Sequence, residues 1–169
     1  MKSELRRLIA LSDAHVGHYE ELFDVVLRER RAIIAQDLEG LAETMRAKEK
    51  VVRAISASAE ALSGLVEILF QRIGRLPDES STLSDLAARL PAPWSGELKR
   101  RTLALTRLRK SIERDNRANQ AFLKEALDLV SGAISILSGA NAPPTTGYGA
   151  AGRKQSAAAP PPTRFSREV

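Results

Sequence analysis

The sequence predicts an all-α protein in which a long antiparallel helical hairpin and a third long helix form a three-helix, coiled-coil-like bundle. Apolar residues recur at alternating steps of three and four over most of the chain. Hydrophobic residues make up 43% of the 169 residues but aromatic residues only 4%, which favours narrow seams built from Leu and Ala over a wide core. The absence of cysteine excludes disulfides and thiolate metal sites.

The first two helices are predicted at about residues 3–34 and 38–75 and should pair as a hairpin. The first has Ser12 and Arg30 as polar interruptions of its seam. The predicted seam of the first helix is Leu5, Ile9, Val16, Tyr19, Phe23, Val26 and Ile33. Asp37 lies in the turn, where its side chain should accept a hydrogen bond from a free N–H group of the second helix.

The second helix has the most regular heptad pattern, and Gly74 and Pro77 are expected to end it. Its predicted seam is Leu38, Leu41, Met45, Lys48, Val52, Ile55, Ala59, Leu62, Val66, Leu69, Ile73 and Leu76. The connector that follows contains a short helix at about residues 83–90, which Thr82 and Asp85 should cap. Trp94 is interpreted as a plug at the end of the bundle, with a binding anchor as the alternative.

The third long helix is predicted at about residues 96–138, and its most distinctive stretch begins at Asp115. Asp115 and Asn119 fall on its inner line, where polar residues need partners and commonly fix the register between helices. We therefore assign Asp115, Asn116 and Asn119 to the register.

Beyond Asn119 the apolar side chains fill an arc of roughly 180°. The arc divides into two adjacent heptad seams, so this part of the helix can face two neighbours, one of which need not belong to this chain. One seam is Phe122, Ala126, Leu129, Ala133 and Ile136, and the other is Leu123, Val130, Leu127, Ile134 and Leu137. The predicted binding residues for a client helix are Phe122, Leu123, Ala126, Leu127, Val130, Ile134 and Leu137. A homodimer that hides part of this arc is left open.

The net charge of +5 is shared unevenly between a helical domain at residues 1–139 and a tail at residues 140–169. The tail has four basic residues and one acidic residue, and its Pro, Ala and Gly content predicts a flexible, disordered segment. The third helix carries a basic line, which is most simply a solvated face. An acidic protein partner ranks ahead of nucleic acid as a ligand for this line, whose members are Arg100, Arg107, Lys110, Arg114 and Arg117.

No constellation of residues indicates an enzyme, a cofactor site or a metal site. His15 and His18 are three residues apart without a third ligand nearby, and they are interpreted as surface residues. The N-terminal segment lacks the apolar run of a signal peptide or a membrane span. We expect a cytoplasmic protein without stable membrane insertion.

The order of motifs resembles that of the FlgN family of flagellar type III export chaperones. The family has an acidic turn motif, a pair of asparagines in the last helix and a Tyr-Gly-x-x-Gly element in the tail. The turn is matched by Asp37, Leu38, Glu39 and Leu41, the asparagine pair by Asn116 and Asn119, and the tail element by Tyr148, Gly149 and Gly152. Gln120 stands where the family usually has glycine, and Ala150 and Ala151 replace a commoner polar pair.

The resemblance implies a chaperone that binds the C-terminal amphipathic helices of hook-associated proteins, which form the hook–filament junction, and prevents their premature assembly. It also implies that the tail element, with Tyr148, Gly149 and Gly152, docks on the cytoplasmic domain of the export gate. The alternative is a structural coiled-coil protein or a basic nucleic-acid-binding helical protein. Binding to nucleic acid should weaken steeply with salt, whereas seating of an apolar helix should not.

Overall fold

The structure, a computed structural model, describes residues 1–74, 82–138, 146–148 and 154–156. The elements are α1 (Lys2–Ala35), α2 (Leu38–Arg72), α3 (Leu83–Arg89), α4 (Trp94–Leu137), β1 (Thr146–Tyr148) and β2 (Lys154–Ser156). The helical architecture predicted from the sequence is confirmed, and the ends of the four helices lie within three residues of their predicted positions. The chain divides into two compact units, Met1–Gln120 and Ala121–Val169.

In the first unit, α1 and α2 form the predicted antiparallel hairpin. Gln36 ends α1 in a left-handed conformation with a φ of 56°, and its N–H group donates to the carbonyl groups of Ala32 and Ile33. Asp37 then caps α2, because its carboxylate accepts a hydrogen bond of 2.9 Å from the N–H of Gly40. The predicted capping role of Asp37 is confirmed.

Only some of the residues predicted to lie on the seam between α1 and α2 are buried there. One heptad line of each helix was predicted correctly, with Leu5 and Val26 buried on α1 and Leu62 and Leu69 buried on α2. The second line of α1 is wrong by one position, because Ile9, Val16 and Phe23 are only half-buried. The buried residues of that line are Leu8, His15, Leu22 and Glu29.

The same displacement occurs in the first half of α2, where Leu38, Met45 and Val52 of the predicted seam are exposed, whereas Val66 of the same line is buried as predicted. The line that faces the hairpin instead is Thr44, Val51, Ser58 and Leu65, of which all but the half-buried Ser58 are buried. Both displaced lines mix polar and apolar residues. Apolar content alone therefore predicts the wrong second line on α1 and over the first half of α2, since polar side chains can be buried once they have partners.

His15 shows how such a polar seam residue is accommodated. Its Nδ1 atom lies 2.6 Å from Oγ of Ser58 on α2, and its ring packs edge-on against Tyr19 with the centroids 5.1 Å apart. The Ser58 hydroxyl donates to the carbonyl of Ile55, so we assign the proton of the His15–Ser58 contact to Nδ1. The interpretation of His15 as a surface residue is wrong, because this partner on α2 allows its burial.

One end of the first unit is closed by α3 and by the start of α4. Thr82 and Asp85 form the predicted capping box, with a 3.2 Å hydrogen bond from the Asp85 N–H to the Thr82 hydroxyl. Trp94 packs against the main core cluster and thus has the position expected of a plug. The buried members of this cluster are Leu5, Leu8, Leu62, Leu65, Val66, Leu69, Phe70, Leu86, Ala87, Leu90 and Leu98.

The second unit contains the end of α4, from Ala121, and the two short strands. β1 and β2 pair antiparallel, with Thr146 opposite Ser156 and Tyr148 opposite Lys154. The sequence predicts no regular structure in this tail, although Thr and Tyr are residues that favour strands. The predicted C-cap residue Gly139 and most of the tail lie outside the described residues, and the boundary predicted after residue 139 stays a prediction.

The His15–Ser58 contact predicts a pH-dependent stability of the hairpin. Burial, followed by the charges of His18 and Arg109, lowers the pKa of His15 from its ordinary value of 6.5. The imidazole of His15 then binds a proton more readily in the unfolded chain than in the folded chain. Its contribution to the free energy of unfolding should therefore be complete above pH 6.5 and should decrease as the pH falls below that value. Urea unfolding at pH 7.5 and at about pH 5.5, followed by circular dichroism, measures this difference.

His15→Asn should reduce the pH dependence over this interval, whereas His18→Asn, which leaves the His15–Ser58 contact in place, should retain most of it. Carboxyl groups titrate mainly below this interval and contribute little to the comparison. An unchanged pH dependence in His15→Asn would show that burial of this imidazole does not govern the effect.

Candidate functional site

Two features of α4 are candidates for function: an exposed apolar surface near its end and a polar cluster in its middle. We name the first the α4 apolar face. Its members are Phe122, Leu123, Ala126, Leu127, Leu129, Val130, Ala133, Ile134, Ile136 and Leu137. The second, named the polar cluster, consists of Glu29, Arg30, Lys48, Asp115, Asn116 and Asn119.

None of the side chains of the α4 apolar face is buried. Leu123 is half-buried, and the exposed fraction of the large apolar residues rises from 47% at Phe122 to 87% at Leu137. Single exposed apolar residues are common on protein surfaces, but a continuous strip over four helical turns is not. The strip therefore has the character of a binding surface.

The sequence assigns one of the two seams of the α4 apolar face to a neighbour within the bundle and the other to a client, and this assignment stays a prediction. Leu129 and Ile136 of one seam are as exposed as Leu127 and Ile134 of the other. All ten residues of the face belong to the second unit, and both seams are exposed there along most of their length.

The polar cluster is centred on Glu29 of α1, whose carboxylate is buried. Lys48 of α2 donates to both carboxylate oxygens of Glu29, at 3.1 and 3.0 Å. The side-chain amide of Asn119 on α4 donates to one of these oxygens at 2.9 Å and to the carbonyl oxygen of Val26 at 3.0 Å. A single carboxylate thus joins all three long helices.

The remaining contacts of the polar cluster hold the same turn of α4. Lys48 also donates to Oδ1 of Asn116 at 2.6 Å. Arg30 donates through Nε to Oδ1 of Asn119 at 3.1 Å and pairs with the carboxylate of Asp115 at 3.3 Å. Asp115 and Asn119 are buried, and Asn116 is half-buried. The three residues that the sequence assigns to the register therefore all lie at the contact between α4 and the hairpin.

Electrostatic contacts lower the pKa of two carboxyl groups at the contacts between α4 and α1, those of Asp115 and Asp13. The guanidinium of Arg114, together with that of Arg30, lowers the pKa of the Asp115 carboxyl. Near the start of α4, Arg101 binds both oxygens of Asp13 on α1, at 2.6 and 2.8 Å, and lowers the pKa of Asp13. Because Arg101 meets Asp13 and Asn119 meets Val26, α4 runs in the same direction as α1.

Sequence reasoning identified part of the polar cluster. The sequence predicts Arg30 as a polar interruption of the α1 seam and places Lys48 on the seam of α2. Glu29 was missed, although it lies seven residues after Leu22 and fourteen after His15, on the displaced line of α1. This spacing predicts the burial of Glu29 only when the polar residues of a heptad line are counted together with its apolar residues.

The basic line of α4 is largely neutralised locally. Arg100 pairs with Glu97, Arg114 with Asp115, and Arg117 with Glu113. The pairs of Arg100 and Arg117 are exposed and stabilise the helix little. Within the described part of the chain, Arg107 and Lys110 are the two members of the predicted basic line that form no ion pair. This arrangement does not favour a phosphate backbone as the ligand.

The tail element is described only in part. Tyr148 ends β1, whereas Gly149 and Gly152 lie outside the described residues. In the described part of the chain, no helix is long and apolar enough to cross a membrane. The same residues contain no group of three or more metal-binding side chains.

Comparison with protein families identifies a match over most of the chain. The family model for the FlgN protein matches residues 1–156. Neither the curated proteins nor the solved structures contain a significant match. The family match covers all four helices and both strands, and therefore includes the polar cluster and the α4 apolar face. The chain belongs to the FlgN family of flagellar export chaperones.

Proposed function

We propose that this protein binds the amphipathic C-terminal helices of hook-associated proteins through the α4 apolar face. It prevents their premature assembly in the cytoplasm and delivers them to the cytoplasmic domain of the flagellar export gate. The observation that supports this proposal is the continuous exposure of the α4 apolar face over four turns of helix. An amphipathic helix docks on such a surface by burying its own apolar stripe.

Both seams of the α4 apolar face are available to a client. A helix that packs against one neighbour buries a stripe of roughly 100°, whereas the face spans roughly 180°. A client that contributes two helical segments covers both seams and completes a small bundle with the end of α4. A second copy of this chain is the alternative neighbour on one seam, and the stoichiometry of the complex distinguishes the two arrangements.

The expected affinity is moderate. Full burial of a Leu, Ile or Phe side chain contributes about 1.5–3 kcal/mol, so five such residues contribute roughly 8–15 kcal/mol before costs. Ordering of the client helix and loss of translational freedom offset much of this free energy. A moderate affinity suits a chaperone that must release its client at the export gate.

A charge in the middle of the α4 apolar face should prevent client binding. Leu127→Asp or Ile134→Asp places a carboxylate where the client buries apolar surface, and each should weaken binding at least about tenfold. Isothermal titration calorimetry with the C-terminal helical segment of a hook-associated protein measures the affinity. Binding of the unmodified chain should show a negative heat-capacity change and little salt dependence.

Gly132→Asp is the matched control for this experiment. It adds the same charge in the same turns but on the polar side of the helix, where an added Cβ would meet no atom within 4 Å. Its affinity should equal that of the unmodified chain. Unchanged affinity in Leu127→Asp and Ile134→Asp, with helicity intact by circular dichroism, would exclude the α4 apolar face as the client site.

Client binding and delivery are assigned to different parts of the chain, so they should be separable. Tyr148→Ala should leave the affinity for the client segment unchanged and weaken binding of the loaded chaperone to the cytoplasmic domain of the export gate. Pull-down with the purified gate domain measures the second step. Phe165→Ala removes an aromatic side chain from the same tail and should affect neither step. Loss of client binding in Tyr148→Ala would contradict this division of labour.

A further inference from the structure

The middle of α4 is attached to the hairpin in a different way from its start. At the start, Leu98 is fully buried in the main core cluster and Trp94 packs against it. From Lys99 to Gln120, the buried residues are the polar Asp115 and Asn119. The apolar residues on the inner line of this stretch, Leu105, Leu108 and Ile112, are only half-buried. Polar contacts therefore dominate the attachment of this segment.

The hairpin beneath this segment has apolar contacts of its own. Val25 of α1 is completely buried and Val51 of α2 is 2% exposed, and the two belong to one cluster with Leu22. Ala47 and Ile55 of α2 pack against that cluster. Of α4, Ile112 is the residue that packs there. Apolar contacts between α1 and α2 therefore stabilise their pairing directly, and these contacts do not involve α4.

A polar attachment of this kind contributes little net stability. Hydrogen bonds and ion pairs in the folded state replace contacts with water, so forming them gains much less than the burial of apolar surface. The cations of the polar cluster are also partly open to solvent, with side-chain exposure of 29% for Arg30 and 27% for Lys48. Salt screens such pairs. Segments with few buried apolar contacts open at a lower free energy than the whole fold.

We propose that residues 99–119 of α4 form a detachable segment that separates from α1 and α2 while the hairpin stays folded. The polar cluster and the ion pair between Arg101 and Asp13 hold this segment on the hairpin. Glu29 is the positioning residue, because its carboxylate holds both Lys48 and Asn119. Separation exposes the cluster around Val25 and Val51 on the side that Ile112 covers. The proposal concerns the first unit alone and is independent of which client the protein binds.

The absence of cysteine makes a direct test straightforward. Spin labels on Ser56→Cys of α2 and Lys110→Cys of α4 report the distance between the two helices, and both sites are exposed. Double electron–electron resonance should show one short distance at about 0.1 M salt. A longer population should grow toward about 1 M salt, where the screening length falls from about 10 Å to about 3 Å.

Glu29→Gln should increase the longer population about fivefold or more at the lower salt concentration, because it removes the charge that binds Lys48. Glu49→Gln is the matched control: it removes the charge of an exposed ion pair with Arg53 within α2 and should leave the distance distribution unchanged. A second pair of labels, on α1 and α2, should report an unaltered hairpin under all of these conditions.

A variant that replaces the polar contacts by apolar ones sharpens the test. Glu29→Leu combined with Lys48→Met and Asn119→Leu should keep the short distance at every salt concentration, since well-packed apolar residues substitute for buried ion pairs at no cost. The proposal is overturned if Glu29→Gln and the unmodified chain give the same distances at all salt concentrations. It is also overturned if the hairpin labels separate together with α4, or if the triple variant is as salt-sensitive as the unmodified chain.

Discussion

The buried carboxylate of Glu29 is the constraint on which the arrangement of the three long helices depends. A carboxylate removed from water without partners is strongly unfavourable, so α1 can pack only where neighbours supply donors. Lys48 of α2 and Asn119 of α4 supply them. A slip of one helical turn, about 5.4 Å, would move either donor out of reach. Apolar seam residues tolerate such slips, whereas this group does not, and it therefore fixes the register of both neighbours.

The same constraint explains which parts of the fold were predictable. Helix positions, the Asp37 cap and the placement of Asp115 and Asn119 followed from spacing and from local chemistry. The second heptad line of each hairpin helix did not, because His15 and Glu29 made the true line of α1 appear too polar. Burial of a polar residue depends on a partner that is distant in sequence, such as Ser58 for His15, and one sequence read for apolar periodicity does not reveal such pairs.

The sequence predicts the positions of the apolar residues in the α4 apolar face, but it does not predict how exposed their side chains are. The roughly 180° arc of this face follows from the positions of apolar residues alone. The exposure of both seams within the second unit did not follow from the apolar pattern, which assigns one seam to a neighbour in the bundle. Ten apolar residues on an exposed strip lower the solubility of a protein. A binding role explains the presence of such a strip, whereas a purely structural role does not.

The three parts of α4 have different chemistry because they have different partners. The start is apolar and belongs to the core, the middle is polar and meets the hairpin, and the end is apolar and exposed. The paired asparagines that support the family resemblance, Asn116 and Asn119, lie in the middle and contact Lys48 and Glu29. Their chemistry is accounted for by contacts within this chain, without a client. The residues that carry the family resemblance in this helix therefore hold it in place on the hairpin.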